Sequence, residues 1–116
     1  MRTERLDSSF VRFYLSLLLQ NLHIMKIIND TYNGSVRYVV GQTEGVCSQA
    51  IELLVEGDVI LDAAFHGGCN GNLKGLVALC KGQKISDVKD RLSGITCGGK
   101  NTSCPDQFAQ LLTLLQ

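Results

Sequence analysis

The hydrophobic pattern changes period along the chain, and each change marks an element. From Val36 apolar and polar positions alternate: Val36, Tyr38 and Val40 fall on one side and Arg37 on the other, the mark of a short half-buried strand. Ile51, Leu53 and Val55 repeat that period, and so do Val59, Leu61, Ala63 and Phe65. Glu56, Gly57 and Asp58 then read as a three-residue hairpin loop, which pairs Val55 with Val59, Leu53 with Leu61 and Ile51 with Ala63. In that register the apolar faces coincide, and Glu52, Glu56 and Asp62 stay on the solvated side.

Past Gly67 and Gly68 the period becomes helical. Leu73, Leu76, Val77 and Cys80 form one stripe, with Gly82 placed to end the helix. A short helix over Ser86 to Leu92 stops at Gly94. After the loop "ITCGGKNTSCPD" the last helix presents Phe108, Leu111, Leu112 and Leu115 at i, i+3, i+4 and i+7. Ser103 caps it with Asp106 three residues on, and Pro105 is tolerated in the first turn, where its missing N–H would lack a partner. Strands first and helices after predict an α+β domain: an antiparallel sheet of about three strands followed by three helices packed on one face.

With 116 residues, 45% of them hydrophobic, the chain builds one domain around one core. Its formal net charge is zero and no block of Lys or Arg collects anywhere, which excludes the footprint of a nucleic-acid or anionic-membrane binder. The apolar run "FVRFYLSLLLQNLHIM" is interrupted by Arg12, Ser16, Gln20, Asn21 and His23, falls short of the ~20 apolar residues that span a bilayer, and lacks a small-residue cleavage site. Phe10, Phe13, Leu17 and Leu18 stand at helical spacing behind Ser8 or Ser9. Two readings are open for this segment: a helix seeking a partner surface, or sequence ahead of a start at Met25, where "MKII" opens a compact domain. The expected organisation is an apolar segment 1–25 and a cysteine-rich domain 26–116, in a cytoplasmic protein whose thiols stay reduced.

Five cysteines are many for this length, and four stand at joints between elements. Cys47 precedes a strand, Cys69 and Cys104 open helices, and Cys97 lies in a Gly-rich loop. A helix N-terminus favours thiolate over thiol, and thiolate is the form that binds metals and attacks electrophiles. The glycines of "HGGC", "CNG" and "CGG" permit close backbone approach, so sulfurs can converge. The spacings C-x21-C, C-x27-C and C-x6-C match no zinc-finger pair, so placement alone nominates Cys47, Cys69, Cys97 and Cys104 as metal ligands. Cys80, on an apolar stripe, reads as a core residue.

Other candidates are plainer. His66 should sit exposed on the sheet, with a ligand role through H-x-x-C as the alternative. Asp106 reads as a cap or a support to Cys104, Asn70 and Asn72 as turn residues, and Lys74 and Lys100 as solvated charges or partners of an anion. A Cys69 pair with His66 or His23 lacks a third group to orient it. Phosphate-binding, dinucleotide and serine-nucleophile motifs are missing.

From "TEGVCSQAIELLVEGDVILDAAFHGGCNGNLKGL" to "LSGITCGGKNTSCPDQFAQ", Thr43 to Leu112, the chain resembles the TSCPD-domain family; the joint occurrence of "GGCNGNLKGL" and "CGGKNTSCPDQ" is highly specific. That family is similar to a cysteine-bearing C-terminal region of adenosylcobalamin-dependent ribonucleotide reductases, and stand-alone members often carry the name ribonucleoside-diphosphate reductase by similarity. The resemblance implies a link to deoxyribonucleotide synthesis and a partner in a ribonucleotide reductase or another nucleotide-linked complex. A single domain is too small to carry that catalysis alone.

The order cysteine, hairpin, "GC" opening a helix and cysteine opening the last helix is also similar to iron–sulfur scaffolds of the IscU/NifU type. Cys47, Cys69 and Cys104 would take the three ligand positions there, and Cys97 would add a fourth. Gln49 and Ser103 replace that family's acidic residue and histidine, which favours a tightly held all-cysteine site. Three expectations follow, in order: a closed four-cysteine zinc site in an accessory domain, an iron–sulfur or sulfur-transfer scaffold, and a redox dithiol of Cys97 with Cys104.

Overall fold

The computed structural model describes residues 26–115; the expected segment 1–25 lies outside them. Four strands, β1 (Lys26–Asn33), β2 (Val36–Gln42), β3 (Ser48–Glu56) and β4 (Val59–Gly67), form one antiparallel sheet in the order β1-β2-β3-β4. Three helices follow: α1 (Asn70–Cys80), α2 (Ile85–Leu92) and α3 (Cys104–Leu114). The α+β class holds, with four strands in place of about three. The extra one, β1, is exposed along nearly its whole length, so "KIINDTYN" carries no buried alternation to read. Its signal was the turn, Gly34-Ser35 between two strand-like runs, with Gly34 at φ +66°.

Two expected faces are corrected. In β2 the core side chain is Val39, fully buried opposite Leu53, while Tyr38 and Val40 lie opposite Leu54 and Glu52 on the outer face. Pairing with β3, whose buried face is fixed by Ile51, Leu53 and Val55, overrides the local alternation of β2. The β3–β4 hairpin turns on two residues, Gly57 and Asp58, and pairs Glu56 with Val59. A bulge follows between the pairs Val55–Ile60 and Leu54–Asp62, leaving Leu61 as the extra residue. Ile60 therefore enters the core and Leu61 turns outward, and the partners beyond the bulge are Leu53–Ala63 and Ile51–Phe65. Ala63 and Phe65 keep their expected side because the bulge switches the parity of the strand.

The helices behave as the pattern predicts. Leu73 and Cys80 of α1, Ile85 and Val88 of α2, and Phe108, Leu111 and Leu112 of α3 are buried. All of these except Leu73 meet Val39, Ile51, Leu53, Val55 and Ile60 in one core, so all three helices cover one face of the sheet. Phe65 and Phe108 lock the two layers edge to face, with ring centroids 5.7 Å apart. Ala50 pairs with both Gln42 and His66, so the β2–β3 loop and the β4–α1 turn leave the same end of the sheet. No helix among the described residues is long and apolar enough to cross a membrane.

Candidate functional site

Three loops carry the four joint cysteines, and local chemistry fixes each loop. In the β2–β3 loop, the Thr43 N–H donates to the Gln49 carbonyl at 3.1 Å and the Thr43 hydroxyl to the Ser48 carbonyl at 2.5 Å. The Glu44 N–H donates to Gln107 Oε1 at 3.1 Å, which ties the loop to α3. Cys47 ends this loop. On the adjoining strand Ser48 pairs with Gly67, and both Gly67 and Gly68 take positive φ, 84° and 85°. A Cβ on Gly68 would stand 2.9 Å from Leu73 Cδ1 and 3.2 Å from Ser48 N, so only glycine lets β4 turn into α1 this close to β3. Cys69 is the N-cap residue of α1; its carbonyl accepts the Leu73 N–H at 2.9 Å, and its thiol makes no capping bond.

The third loop joins α2 to α3. Cys97 and Thr102 close it, with the Cys97 N–H donating to the Thr102 carbonyl at 3.2 Å and the Lys100 N–H to the Cys97 carbonyl at 3.0 Å. Ser103 caps α3 by accepting the Asp106 N–H at 3.1 Å, and its hydroxyl donates to the Ile95 carbonyl at 2.6 Å. Asp106 does more than a cap. Its buried carboxylate accepts from the Gly94 N–H at 2.7 Å, the Thr102 hydroxyl at 2.5 Å and Gln110 Nε2 at 2.9 Å, so one side chain fastens both ends of the loop to the helix.

These constraints set Cys47, Cys69, Cys97 and Cys104 around one cleft of about 730 Å³. Leu76, Leu79 and Pro105 supply apolar wall beside them. Cys47, Cys69 and Cys97 are exposed free thiols and Cys104 is half-buried, with Sγ 3.2 Å from the hydroxyl of the buried Ser48. Among the described residues no three Cys, His, Asp or Glu side chains stand close enough together to hold a metal ion. The fold thus gathers the four cysteines around a shared space without drawing their sulfurs to ligand distance. Cys80 lies in the core instead, where burial pushes its thiol up from the ordinary 9.0.

His66 lies outside the cleft lining. It pairs with Glu52 on the outer face of the sheet, where the Tyr38 hydroxyl donates to the same carboxylate at 2.7 Å. Two residues went unread in the sequence. Ser48 gave no sign beyond its place next to Cys47. Gln107 is a polar residue directly before the apolar stripe, and its fully buried amide joins Thr102 to the Glu44 backbone.

An α+β domain with a two-layer core and a cleft walled by cysteines from three loops is the class that fold and site define. The chain belongs to the TSCPD domain family, whose model matches residues 30–116. No curated protein and no solved structure matches it, and so none supports the likeness to IscU/NifU-type scaffolds.

Proposed function

We propose that this chain is a metal-binding accessory domain in which Cys47, Cys69, Cys97 and Cys104 hold one zinc ion as thiolates. One observation carries the reading: of five cysteines, the four at joints line a single cleft while the fifth is in the core. An all-sulfur donor set suits Zn2+ or an iron–sulfur centre and suits Mg2+ or Ca2+ poorly. Three of the thiols are open to solvent and to an incoming ion. The β2–β3 and α2–α3 loops would move inward to complete the ligand set, so that bound metal contributes folding free energy directly.

The likeness of the TSCPD family to a reductase C-terminal region supports a role beside a ribonucleotide reductase or another nucleotide-linked complex in deoxyribonucleotide synthesis. At this size the domain would serve such an enzyme and leave the radical chemistry to it. Anaerobic purification followed by elemental analysis and a thiol count tests the metal. The expected result is about one zinc per chain, retained in Cys80→Ser and lost in Cys104→Ser. Folded protein that is purified without metal and takes up no added zinc would end the proposal. A brown preparation carrying iron and sulfide would assign the same residues to a cluster instead.

A further inference from the structure

The outer edge of β4 offers a second site, next to the cysteine cleft, with which its groove shares Leu73. One end of that edge is already closed. The Ile60 N–H donates to the Gln83 carbonyl at 2.9 Å, the Gly82 N–H to the Ile60 carbonyl at 2.7 Å, and Val59 bridges to Lys84. Beyond Ile60 no backbone partner meets the edge among the described residues. The Ala63 N–H shows which way these groups point: it donates to the carboxylate of its neighbour Asp62 at 2.8 Å rather than across to β3. By the period of a strand, Phe65 turns its backbone groups the same way, and the regular run ends at Gly67, which takes positive φ. An unpaired strand edge is a template for another strand.

A groove of about 470 Å³ runs beside this stretch of edge, between β4 and α1. Ala63, Phe65 and Gly67 line one side, and Leu73, Val77 and Lys74 the other. Lys74 is the one charged residue in the lining and makes no ion pair among the described residues. We propose that the β4 edge from Ala63 to Gly67 binds an extended segment of a partner protein as a fifth strand, seating an apolar side chain in the groove and an Asp or Glu side chain against Lys74. Main-chain bonds to the edge would supply affinity, and the groove and the lysine would select the sequence, as in other recognition by strand addition.

A phage-displayed library of random peptides, panned on the full chain, tests this. Peptides with alternating apolar residues and a carboxylate should be enriched. A synthetic copy of one should slow hydrogen exchange at the Ala63 and Phe65 amides. Lys74→Glu, an exposed change away from the core, should weaken its binding about tenfold, the cost of one charge-assisted contact. A library without enrichment would overturn the proposal, as would a peptide whose binding leaves those amides unprotected or ignores the charge of residue 74. A dimer of the chain joined edge to edge through β4, seen by sedimentation and by protection of the same amides, would also overturn it.

Discussion

Ser48 and Asp106 show how much one polar side chain decides here. Ser48 is buried at the first residue of β3, held by the Thr43 hydroxyl on its carbonyl and by pairing with Gly67, and its own hydroxyl faces Cys104 Sγ at 3.2 Å. A hydroxyl fixed in this way would orient the sulfur and stabilise it as a ligand of the proposed zinc ion. Ser48→Ala should therefore lower zinc affinity roughly 10–100-fold, the usual effect of losing a partner behind a ligand, while far-UV circular dichroism stays unchanged. Competition with a chromophoric chelator measures it, and equal affinity in the two proteins would show that Ser48 orients nothing. Asp106→Ala strips three hydrogen bonds from a buried carboxylate and leaves the Gly94 N–H without its acceptor. A destabilisation of about 2–3 kcal/mol is expected by urea denaturation, with Asp106→Asn falling between variant and parent.

At the scale of elements, the outer face of the sheet has its own pH response. The Tyr38 hydroxyl first, and His66 second, hold the Glu52 carboxyl below its ordinary 4.5. A carboxyl lowered on folding contributes stability that is complete above its unfolded value and is lost as pH falls through the folded one. The same bond raises Tyr38 above 10.0, so its share is lost only as pH rises past that value. Urea midpoints from pH 6 down to 3 should show the advantage of the parent over Glu52→Gln narrowing below about 4.5, where the cross-strand bonds to β2 and β4 are protonated away. A constant gap across that range would mean that Glu52 contributes nothing through its charge.

Elements also mark how far the sequence could be read. Every helix was legible because a stripe, a cap or a terminating glycine announced it, as Ser103 and Gly82 did. The cysteines were legible as a set because each stands at a joint. Register was not: the bulge that leaves Leu61 unpaired costs no apolar residue, so Val59, Leu61, Ala63 and Phe65 looked like one face. The inner face of β2 was chosen by its neighbour strand through Val39 opposite Leu53, a contact that no local pattern contains. Ser48 and Gln107 were invisible because their partners lie 56 and 63 residues away along the chain.

On the scale of the molecule, the sheet and its helices hold the core, and the cysteine loops, which stand outside it, form the part that would respond to the proposed metal. The core is closed without any thiol except Cys80. The domain should therefore stay folded when metal-free, unlike a zinc finger, with the change confined to the cleft. The α2–α3 loop offers a direct reading, since Lys100 is exposed on it between Cys97 and Cys104. Trypsin should cut after Lys100 in the metal-free protein, and zinc should slow that cut while leaving exposed sites such as Lys81 unaffected. Bound ion should also raise global stability, by about 4 kcal/mol when free zinc is a thousand times its dissociation constant. Replacing Cys97 with Ser should abolish both effects, and replacing Cys80 should spare them. Equal cleavage at Lys100 with and without zinc would mean that the four thiols never close on a common ion, leaving the cleft to some other chemistry of free thiols.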